Sequence, residues 1–559
     1  MKKLNIVLCR FLVILILMPL FMSCGISDYQ FNDIEVQETD AKMAAPLAKG
    51  SFTLWDFIGN VSQENLKKDE YGNMSFVYSH KNVFSYSLDD LYQFPSSISI
   101  GQKGIDIPPM DFDLLRLLGK PILPIEFSSV HRIDISGGSN SSLKAFSAKV
   151  KRGTLNVNVS NPSLLTGIGL DIIVQNCIVD RNGEQKPLKI NIPLESGVRA
   201  YTVDLAGALF DFGANETSPE FTITYKVVFP SNITGKYDSS SFTFDLNMLG
   251  LEFEYFKGDL GAKEFTLPTN VIDIDVPFLD KIGKGIQFSE PVFTLTTKTN
   301  FIVSSAINPS IVGTNLDDEE VDVNAPDLNV VCPVESNIDQ AATGTYTLNK
   351  DNSNIVELFS LPPSKKITFG GKVVVNTNTD GTPMEIINPK NNTDPKIKPN
   401  PNMITPTSGL SADLSMEVPL IFKASDISYT DTLEVSISDI SSVDNAALYI
   451  SYENQIPLEL DINLLPVNIE QNTIVGEPIA VEPFKSPKVD ESGRPISISK
   501  GIEKLSLTTS DLESLQKADA LIMHIKANSS ENKVVRLNAT DILNVRIAAS
   551  ANVKYNENN

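Results

Sequence analysis

Apolar and polar residues alternate with a period of two along most of the chain. The clearest runs lie at residues 154–160, 221–227, 242–246, 292–297, 433–438 and 545–549. Alternation puts the apolar side chains on one face of a β-strand, and Gly, Pro, Asn and Asp between the runs mark turns. Strands with one apolar and one polar face are typical of antiparallel sheets that cover a core on one side. The pattern predicts an all-β protein of antiparallel β-sandwiches.

Helical signals are few. Residues 111–118 have the composition of two helical turns. Ser510 and Glu513 fit a capping box, in which the hydroxyl accepts a hydrogen bond from the amide three residues on and the carboxylate reaches back. This box predicts a short helix to about Lys517, followed by a strand at 520–525. Neither helix carries residues that indicate chemistry.

Three acidic turn sequences separate predicted strands, at residues 69–73, 180–183 and 490–493. Each resembles a fragment of a calcium-binding loop. None has carboxylates at alternate positions followed by a closing Glu, which such loops require. We therefore interpret them as hairpin turns.

The N-terminus has the pattern of an export signal. Residues 1–10 are basic, residues 11–22 are almost entirely apolar, and Ser23 precedes Cys24. A basic start, an apolar centre and small residues at the end are typical of a secretory signal peptide. The cysteine after a small residue resembles a bacterial lipobox, although Phe21 stands where Leu is usual. The resemblance implies that Cys24 is acylated; a transmembrane anchor and a plain secreted protein are the alternatives.

The residues after Cys24 bear on the destination. No acidic residue follows it directly, which resembles lipoproteins sorted to the outer membrane. Asp28 and Asp33 resemble a sparse form of the surface-export tether of Bacteroidetes lipoproteins. These features imply a protein anchored to the outer membrane by its lipid, with the cell surface favoured over the periplasmic face.

A strand that ends in Asn recurs. Residues 155–159 lead into Asn161-Pro162, and similar phrases end at Asn300 and Asn376. After the first phrase come a second apolar strand at 169–174 and a hairpin. This order resembles the late-embryogenesis-abundant type 2 β-sandwich over about residues 150–230. The resemblance implies an immunoglobulin-like sandwich without catalytic residues.

The whole layout resembles multi-domain outer-membrane lipoproteins of Bacteroidetes. The shared features are the leader, a phrase such as residues 54–58 around Trp55, and a Tyr-rich strand after it. That family brings no activity to this chain. Together with the recurring strands, it implies tandem immunoglobulin-like sandwiches in an elongated array.

Composition shifts give the predicted domain boundaries. The expected units are a signal peptide at 1–23, a flexible tether at 24–50, a small N-terminal unit at 51–135, β-sandwiches at 136–268 and 269–375, a Pro/Asn-rich linker or loop at 376–409, and a C-terminal β-sandwich at 410–559.

Charge and cysteine content exclude several classes. The 559 residues include 46 Lys and Arg against 69 Asp and Glu, a net charge of -23. Nucleic-acid binding needs basic stripes, so we expect no nucleic-acid partner. Four cysteines are too few for a disulfide scaffold. Cys177 and Cys332 lie in apolar runs and are predicted to be buried free thiols, with a long-range disulfide as the alternative.

The search for catalytic chemistry returns little. His80, His131 and His524 are far apart in the sequence and have no ligands at metal spacing. The chain has no glycine-rich phosphate loop and no nucleophile elbow. Asp273 and Asp275 share a strand face, which is ordinary for a solvated sheet. We expect no enzyme, no catalytic residues, no cofactor and no dedicated metal centre.

Two candidate binding sites remain. Asp317, Asp318, Glu320 and Asp322 would bind calcium through clustered carboxylates, with a solvated charge run as the favoured alternative. Trp55, Tyr78 and Tyr86 would stack against a glycan, with core packing as the favoured alternative.

We therefore expect a non-enzymatic, lipid-anchored outer-membrane protein that acts in binding, adhesion or assembly of a surface or envelope complex. Its expected partners are the membrane, through the N-terminal lipid, and other envelope proteins or glycans. Two alternatives stay open: a glycan-binding lipoprotein of a polysaccharide-uptake system, and a carrier of lipid or another apolar ligand.

Overall fold

The computed structural model describes residues 41–53, 55, 65–88, 95–132, 144–161, 167–181, 183–212, 220–273, 285–315, 317–359, 364–390, 392, 394, 396, 400–434 and 443–553. The signal peptide, Cys24 and Asp275 lie outside these residues. All statements on the structure concern the described residues.

The elements are almost all strands. In chain order they are β1 (Ala41–Thr53), β2 (Leu66–Lys68), β3 (Met74–Ser87), β4 (Ser97–Ile107), β5 (Met110–Asp111), β6 (Ile125–Arg132), β7 (Lys144–Asn161), β8 (Ile168–Arg181), β9 (Glu184–Leu194), β10 (Gly197–Asp204), β11 (Leu209–Asp211), β12 (Glu220–Val228), β13 (Lys236–Tyr237), β14 (Ser240–Asp259), β15 (Lys263–Thr266), β16 (Asn270–Asp273), β17 (Ile286–Phe288), β18 (Val292–Thr299), β19 (Ser305–Asn315), β20 (Glu320–Asp322), β21 (Leu328–Asn329), β22 (Ala342–Leu348), β23 (Ser364–Val375), β24 (Asn402–Ile404), β25 (Gly409–Pro419), β26 (Ile421–Ala424), β27 (Ile427–Glu434), β28 (Val443–Asn454), β29 (Leu458–Asn468), β30 (Thr473–Ile474), β31 (Ile479–Phe484), β32 (Ser499–Leu507), β33 (Ala520–Ser529), β34 (Val535–Arg536) and β35 (Ile542–Val553).

Three short helices accompany them: α1 (Phe112–Leu117), α2 (Ile355–Leu358) and α3 (Thr509–Lys517). Two 3-10 turns lie at Glu335–Asn337 and Ser530–Asn532. The predicted all-β class with little helix is confirmed, since several antiparallel sheets make up the described chain. No described helix has the length and apolarity that crossing a membrane requires.

Both predicted helices form, but one begins earlier than expected. Asp111 caps α1, its carboxylate accepting a hydrogen bond from the Leu114 amide at 2.9 Å. In α3 the cap is Thr508, whose hydroxyl accepts from the Asp511 amide while the Asp511 carboxylate accepts from the Thr508 amide. The box predicted at Ser510 and Glu513 is therefore wrong by two residues, because Asp511 fills the role assigned to Glu513.

The largest sheet has ten strands. Its main path runs β24-β14-β7-β11-β8-β12-β6, and β4, β9 and β10 attach to its strands. The apolar sides of β8 and β12, which include Ile172 and Tyr225, are buried. The predicted runs at 154–160 and 221–227 both lie in this sheet, within β7 and β12.

A second sheet joins strands that are far apart in sequence. Its order is β2-β3-β25-β18-β22, so Leu410 of β25 is paired with Tyr86 of β3. A third sheet, β15-β23-β19-β20, packs nearby with β16 and β21 at its edges. One continuous hydrophobic core extends from Leu66 to Ala539 across these sheets. We call this part the body.

The body differs from a row of separate sandwiches. Strands β3, β18 and β25 were each expected in a different unit, yet they are neighbours in one sheet. The tandem immunoglobulin-like arrangement is therefore not shown here. The physical reason is that alternation fixes which face of a strand is apolar and leaves its partner strand open.

A second core lies near the C-terminus. The sheet β1-β35-β28-β32 and the sheet β27-β33-β29-β30, with β31 on β29, contribute side chains such as Ile450 and Met523 to one cluster. We call this part the C-terminal sandwich. Residues 41–50, expected in a flexible tether, form most of β1, which pairs along β35 from Thr53 to Ala41.

The two cores meet at a tight turn near Asn538. The side-chain amide of Asn538 donates to the Tyr71 carbonyl at 2.9 Å. The backbone amide of Asn538 donates to the Asp541 carboxylate, also at 2.9 Å. The Trp55 amide donates to the Ala539 carbonyl at 3.2 Å. We call this turn the joint.

The structure describes both cysteines predicted to be buried and the acidic turn predicted at residues 69–73. Cys177 is a buried free thiol, as predicted, and burial raises its pKa to about 12. Cys332 is also free but only half-buried, and its thiol donates to the Val303 carbonyl at 3.2 Å. The acidic segment 69–73 forms the turn between β2 and β3, and the Asp69 carboxylate accepts from the amides of its own turn.

Candidate functional site: an apolar cleft

The acidic run predicted to bind calcium lies on the hairpin between β19 and β20. Asp317, Asp318, Glu320 and Asp322 are all exposed. Asn315 organises the turn, because its side-chain oxygen accepts from the amides of Asp317 and Glu319. Over the described residues, no three His, Cys, Asp or Glu side chains are grouped to hold a metal ion.

The three aromatic residues predicted to bind a glycan are spread along the body. Trp55 lies at the joint, with the Lys68 ammonium 4.3 Å from its ring centre. Lys68 is paired with Met74 at one end of β3, whereas Tyr86 lies at the other end, roughly 33 Å away along the strand. Tyr78 is half-buried between them against the body core. The three rings therefore form no common stacking platform.

The histidines are also separate. His80 is exposed on β3, and His524 lies on β33 with its Nδ1 3.1 Å from the Thr430 hydroxyl. Only His131 sits in a polar cluster, with its Nε2 2.6 Å from the Ser129 hydroxyl and 3.3 Å from the Tyr225 hydroxyl.

Burial lowers the pKa of His131 and raises the pKa of Tyr225 to about 12. A serine beside a histidine is one part of a nucleophilic site, which also needs donors for the developing oxyanion. In this fold the hydroxyls of Ser129 and Tyr225 act as hydrogen-bond partners of the partly buried His131 imidazole.

A small cleft of about 40 Å³, which opens to solvent, lies where the second and third sheets meet the end of β14. We call it the apolar cleft. Its twelve lining residues are Tyr86, Leu88, Leu260, Lys263, Phe265, Phe301, Val303, Ser305, Val373, Val375, Ile404 and Leu410. Only Lys263, Ser305 and the Tyr86 hydroxyl bring polar side-chain groups. A mostly apolar concavity with few polar groups is the usual form of a small-molecule site.

Alternation in three neighbouring strands builds one wall of the cleft. Lys263 and Phe265 of β15 are paired with Val375 and Val373 of β23, and Ser305 of β19 is paired with Val375 from the other side. Residues two apart on a strand point to the same face, so these five side chains share it. The lining from other parts of the body includes Leu88, Ile404 and Leu410.

Tyr86 is held within the lining and is not a surface platform. Its hydroxyl donates to the Thr266 carbonyl at 2.7 Å. Its ring centre lies 6.0 Å from that of Phe84 and 6.2 Å from that of Phe265. Sequence reasoning found this residue as a candidate contact for a sugar, whereas its neighbours are the apolar walls of the cleft.

A pair of buried asparagines supports the cleft from behind. The side-chain amides of Asn376 and Asn402 hydrogen-bond to each other, at 2.7 Å and 3.0 Å. The Asn402 side-chain oxygen also accepts from the amide of Leu260, a lining residue, at 3.0 Å. The Pro/Asn-rich stretch at 376–409 is thus packed at both of its ends, and β24 within it pairs with β14.

Among the described residues that line the cleft, Lys263 is the only charged one. Burial lowers the pKa of its ammonium, as expected for a cation beside apolar side chains. No alternation pattern marked this lysine, because the sequence reads Lys263-Glu264-Phe265 and gives no sign that the lysine and the phenylalanine share an apolar face with β23.

A second feature is an exposed apolar surface around α1. Leu114, Leu117, Leu118 and Leu123 are 49%, 83%, 58% and 67% exposed, and we call them the leucine surface. The Arg116 guanidinium donates to the Ile233 carbonyl at 2.7 Å and fixes α1 to the body. Exposed apolar residues that lie close together mark interaction sites more often than scattered ones do.

Comparisons with known proteins give weak similarities. No family model matches the sequence, and no curated protein matches it. A protein of Parabacteroides distasonis, described as a candidate secreted protein, is 12% identical over 54% of this chain and 89% of its own, with a TM-score of 0.30. The Gx strain structure of infectious bursal disease virus is 8% identical over 88% of this chain and 82% of its own, with a TM-score of 0.14. Likenesses at these TM-scores carry no argument on fold or function.

Proposed function

We propose that this protein is a non-enzymatic, lipid-anchored outer-membrane protein of a Bacteroidetes-type envelope that acts by binding an apolar ligand. The observation that carries the proposal is the apolar cleft, with nine aliphatic or Phe side chains among its twelve lining residues. Burial of apolar ligand surface contributes about 25 cal/mol per Å² before the costs of association are subtracted. In the proposal the body and the C-terminal sandwich form an elongated array that projects from the lipid, with immunoglobulin-like sandwiches in it.

The order of the parts supports such a projection. Ala41, the described residue nearest to Cys24, is paired with Val553 at the end of β35 that is distant from the joint. Beyond the joint, β3 and β25 lead to the cleft, and β14 continues for 20 residues, roughly 65 Å along the strand, towards α1. The leucine surface thus comes last in a series that begins at Ala41.

The leucine surface favours a second candidate function, assembly with another envelope protein. Its place in the series would put it far from the lipid and available to a partner. Leu117→Asp with Leu118→Asp should give a smaller species when the native complex is extracted and sized, and Val198→Asp, at an equally exposed site, should not. An unchanged size in the leucine variant would remove assembly from consideration.

The anchor is tested by Cys24→Ser. We expect the variant protein to leave the membrane fraction for the soluble envelope fraction, because the thiol that carries the lipid is missing. Retention of the variant in the membrane at the wild-type level would contradict the proposed anchor.

Ligand binding is tested with a neutral fluorescent probe, N-phenyl-1-naphthylamine. We expect the purified mature protein to enhance its fluorescence, and Val303→Phe, which fills the cleft, to weaken binding by roughly tenfold. Val198→Phe is the matched control, since Val198 is 72% exposed on β10. Absence of enhancement in the wild type, or equal binding by both variants, would overturn the proposed function.

A further inference from the structure

We propose that two copies of this chain join through β6, which pairs antiparallel with β6 of the second copy about a twofold axis at Ser129. The contact would make one continuous sheet of the two bodies. It goes beyond the proposed function, since it needs neither the apolar cleft nor the leucine surface. Three observations on β6 carry it: an open edge, an incompletely covered aromatic ring, and charges that complement themselves.

Strand β6 is paired on one side only. Its residues Ile125–Arg132 pair with residues 220–227 of β12 in an unbroken register. Among the described strands, β12 is the only neighbour of β6 in the sheet. Backbone amide and carbonyl groups along an open edge are available to a further strand.

Three other edge strands of the ten-stranded sheet differ from β6. Strand β4 has a shift of register opposite Leu246 and carries Lys103. Strand β10 is tied to β9, because the Tyr201 hydroxyl donates to the Pro193 carbonyl at 3.0 Å. Strand β9 contains two lysines and two prolines, namely Lys186, Pro187, Lys189 and Pro193. Lysine, proline and bulges are the usual means of keeping an edge strand from pairing, and β6 has none of them.

The ring of Phe127 shows that the core face of β6 is incompletely covered. Phe127 is paired with Tyr225 of β12, which is fully buried in the body core. Paired residues of an antiparallel sheet lie on the same face, so Phe127 is on the core face as well. It is nevertheless 36% exposed. A strand added along β6 would cover this ring.

The outer face of β6 carries an acid near one end and a base at the other. Glu126 lies 3.9 Å from Lys226 of β12, and Arg132 lies 3.2 Å from Glu220 of β12. Both partners are on the β12 side, and the side chains of Glu126 and Arg132 remain mostly exposed. Each can therefore contact a strand on the open side while it keeps its partner in β12.

These charges favour a second copy as the added strand. In a pairing centred on Ser129, Arg132 lies opposite the partner's Glu126, and the twofold axis repeats this pair at the other end. Charges then alternate across four strands, in the order Glu220, Arg132, the partner's Glu126 and the partner's Lys226. Opposite charges directly across two strands stabilise an antiparallel sheet. Strand β6 thus supplies its own complementary strand.

The contact is short. Residues 126–132 of the two copies overlap, over roughly 23 Å of strand. An interface of this length is smaller than the interface of a permanent dimer. We therefore expect a dimer that dissociates on dilution.

Disulfide cross-linking in intact cells tests the contact in the complete protein. Ser129 would lie opposite the partner's Ser129, and the Cα atoms of such a pair are about 4.5–5.5 Å apart, which a disulfide can span. Ser129→Cys, treated with copper phenanthroline, should give a dimer band on a non-reducing gel that a reductant removes. The wild type should give no such band, and neither should Val198→Cys, at an exposed position of the edge strand β10.

Exchange of the charges tests the register. Sedimentation equilibrium of the purified mature protein, from about 1 to about 200 µM, measures dimerisation. Glu126→Arg or Arg132→Glu alone sets like charges opposite each other at both ends and should weaken dimerisation by roughly tenfold.

Both changes in one chain should restore dimerisation to within about threefold of the wild type, because opposite charges again face each other across the axis. Within one copy the exchanged residues would face Lys226 and Glu220, which carry the same sign. Only contact between copies therefore accounts for a recovery. Arg199→Glu, at an exposed position of β10, is the control and should dimerise as the wild type does.

The outcomes separate the dimer from its register and from other partners. A wild type that stays monomeric at the highest concentration would overturn the dimer. If the doubly exchanged chain stays as weak as the single variants, or if dimeric Ser129→Cys forms no cross-link, the register about Ser129 is wrong. A cross-link to a different protein, identified by mass spectrometry, would replace the second copy with that protein. Loss of the dimer in Leu117→Asp with Leu118→Asp would assign self-association to the leucine surface instead.

Discussion

The body and the C-terminal sandwich contain the same kind of strand but assemble it differently. The sandwich takes its core from residues 448–545, most of it from strands that follow one another closely. The body takes its core from residues as distant as Leu66 and Ala539. The same local pattern therefore supports a compact sandwich in one case and a sheet of remote strands in the other.

This difference changes what each part needs in order to fold. Pairing Tyr86 with Leu410 closes a long loop of chain, which costs entropy before the contact returns any stability. Among the described strands of the sandwich, only β1 and β27 come from outside residues 443–553. The sandwich should thus form first and more independently, with β1 joining it when Ala41–Thr53 meets β35.

Truncation of a buried aromatic ring in one core should give the largest difference between the thermal transitions of the two cores. Phe210 in the body is fully buried, with its ring centre 5.1 Å from that of Phe221. Phe210→Ala should lower the free energy of unfolding by about 3–5 kcal/mol, because it leaves a cavity. In calorimetry the transition of the body should move to lower temperature while that of the sandwich stays.

The matched change in the sandwich is Phe484→Ala, since Phe484 stacks on Tyr452 at 4.8 Å. Phe484→Ala should move the transition of the sandwich to lower temperature while that of the body stays. If both variants shift one common transition by the same amount, the two cores unfold as a unit and the contrast between them is wrong.

The joint should make stability depend on pH through Asp541. Burial raises the pKa of this carboxyl to about 6, above its ordinary value of 3.8. The folded protein therefore holds a proton that the unfolded chain releases, and stability falls as the pH rises from about 4 to about 6. The loss is on the order of 3 kcal/mol.

Asp541→Asn keeps an acceptor for the Asn538 amide and should remove that fall. Denaturant unfolding of both proteins at pH 4, 5, 6 and 7 measures it. Equal pH dependence in the two proteins would show that the joint holds no such proton.

The asparagine pair should matter to the body alone. Asn402→Ala removes the acceptor of the Leu260 amide and both hydrogen bonds to the Asn376 side chain, at a cost of about 2 kcal/mol, although the Asn376 side-chain amide still donates to the Gly261 carbonyl. It should also weaken probe binding in the cleft, which Leu260 lines. Asn378→Ala, at an exposed position of the same loop, should cost less than about 1 kcal/mol. Equal losses in denaturant unfolding of the two variants would contradict a supporting role.

Sequence reasoning recovered the strands because alternation is a local property. The runs at 292–297 and 545–549 lie within β18 and β35. Hairpin turns could also be predicted from the sequence, since the turn at Gly183 joins β8 to β9 directly. Neither signal depends on residues far away in the chain.

The pairing of the strands and the lining of the cleft could not be predicted from local sequence patterns. Lys263 becomes part of an apolar wall only because β15 pairs with β23, and Tyr86 faces Phe265 only because β3 and β15 approach each other. Those approaches are tertiary, and no spacing between the residues records them. Trp55 and Tyr86 looked like one cluster because they are close in sequence, although an extended β3 separates them.

Helix α3 provides the finest contrast between sequence pattern and structure. Thr508 and Asp511 form its capping box, so Thr508→Ala should cost about 1 kcal/mol of sandwich stability. Ser510→Ala, at the position that the sequence favoured, should stay within about 0.5 kcal/mol because the Ser510 side chain does not cap the helix. Denaturant unfolding of the sandwich transition measures both. A larger loss in Ser510→Ala than in Thr508→Ala would restore the cap predicted from sequence and move the start of α3 by two residues. The expected order instead follows from geometry, because Thr508 has the extended backbone of a cap and Ser510 already lies inside the first helical turn.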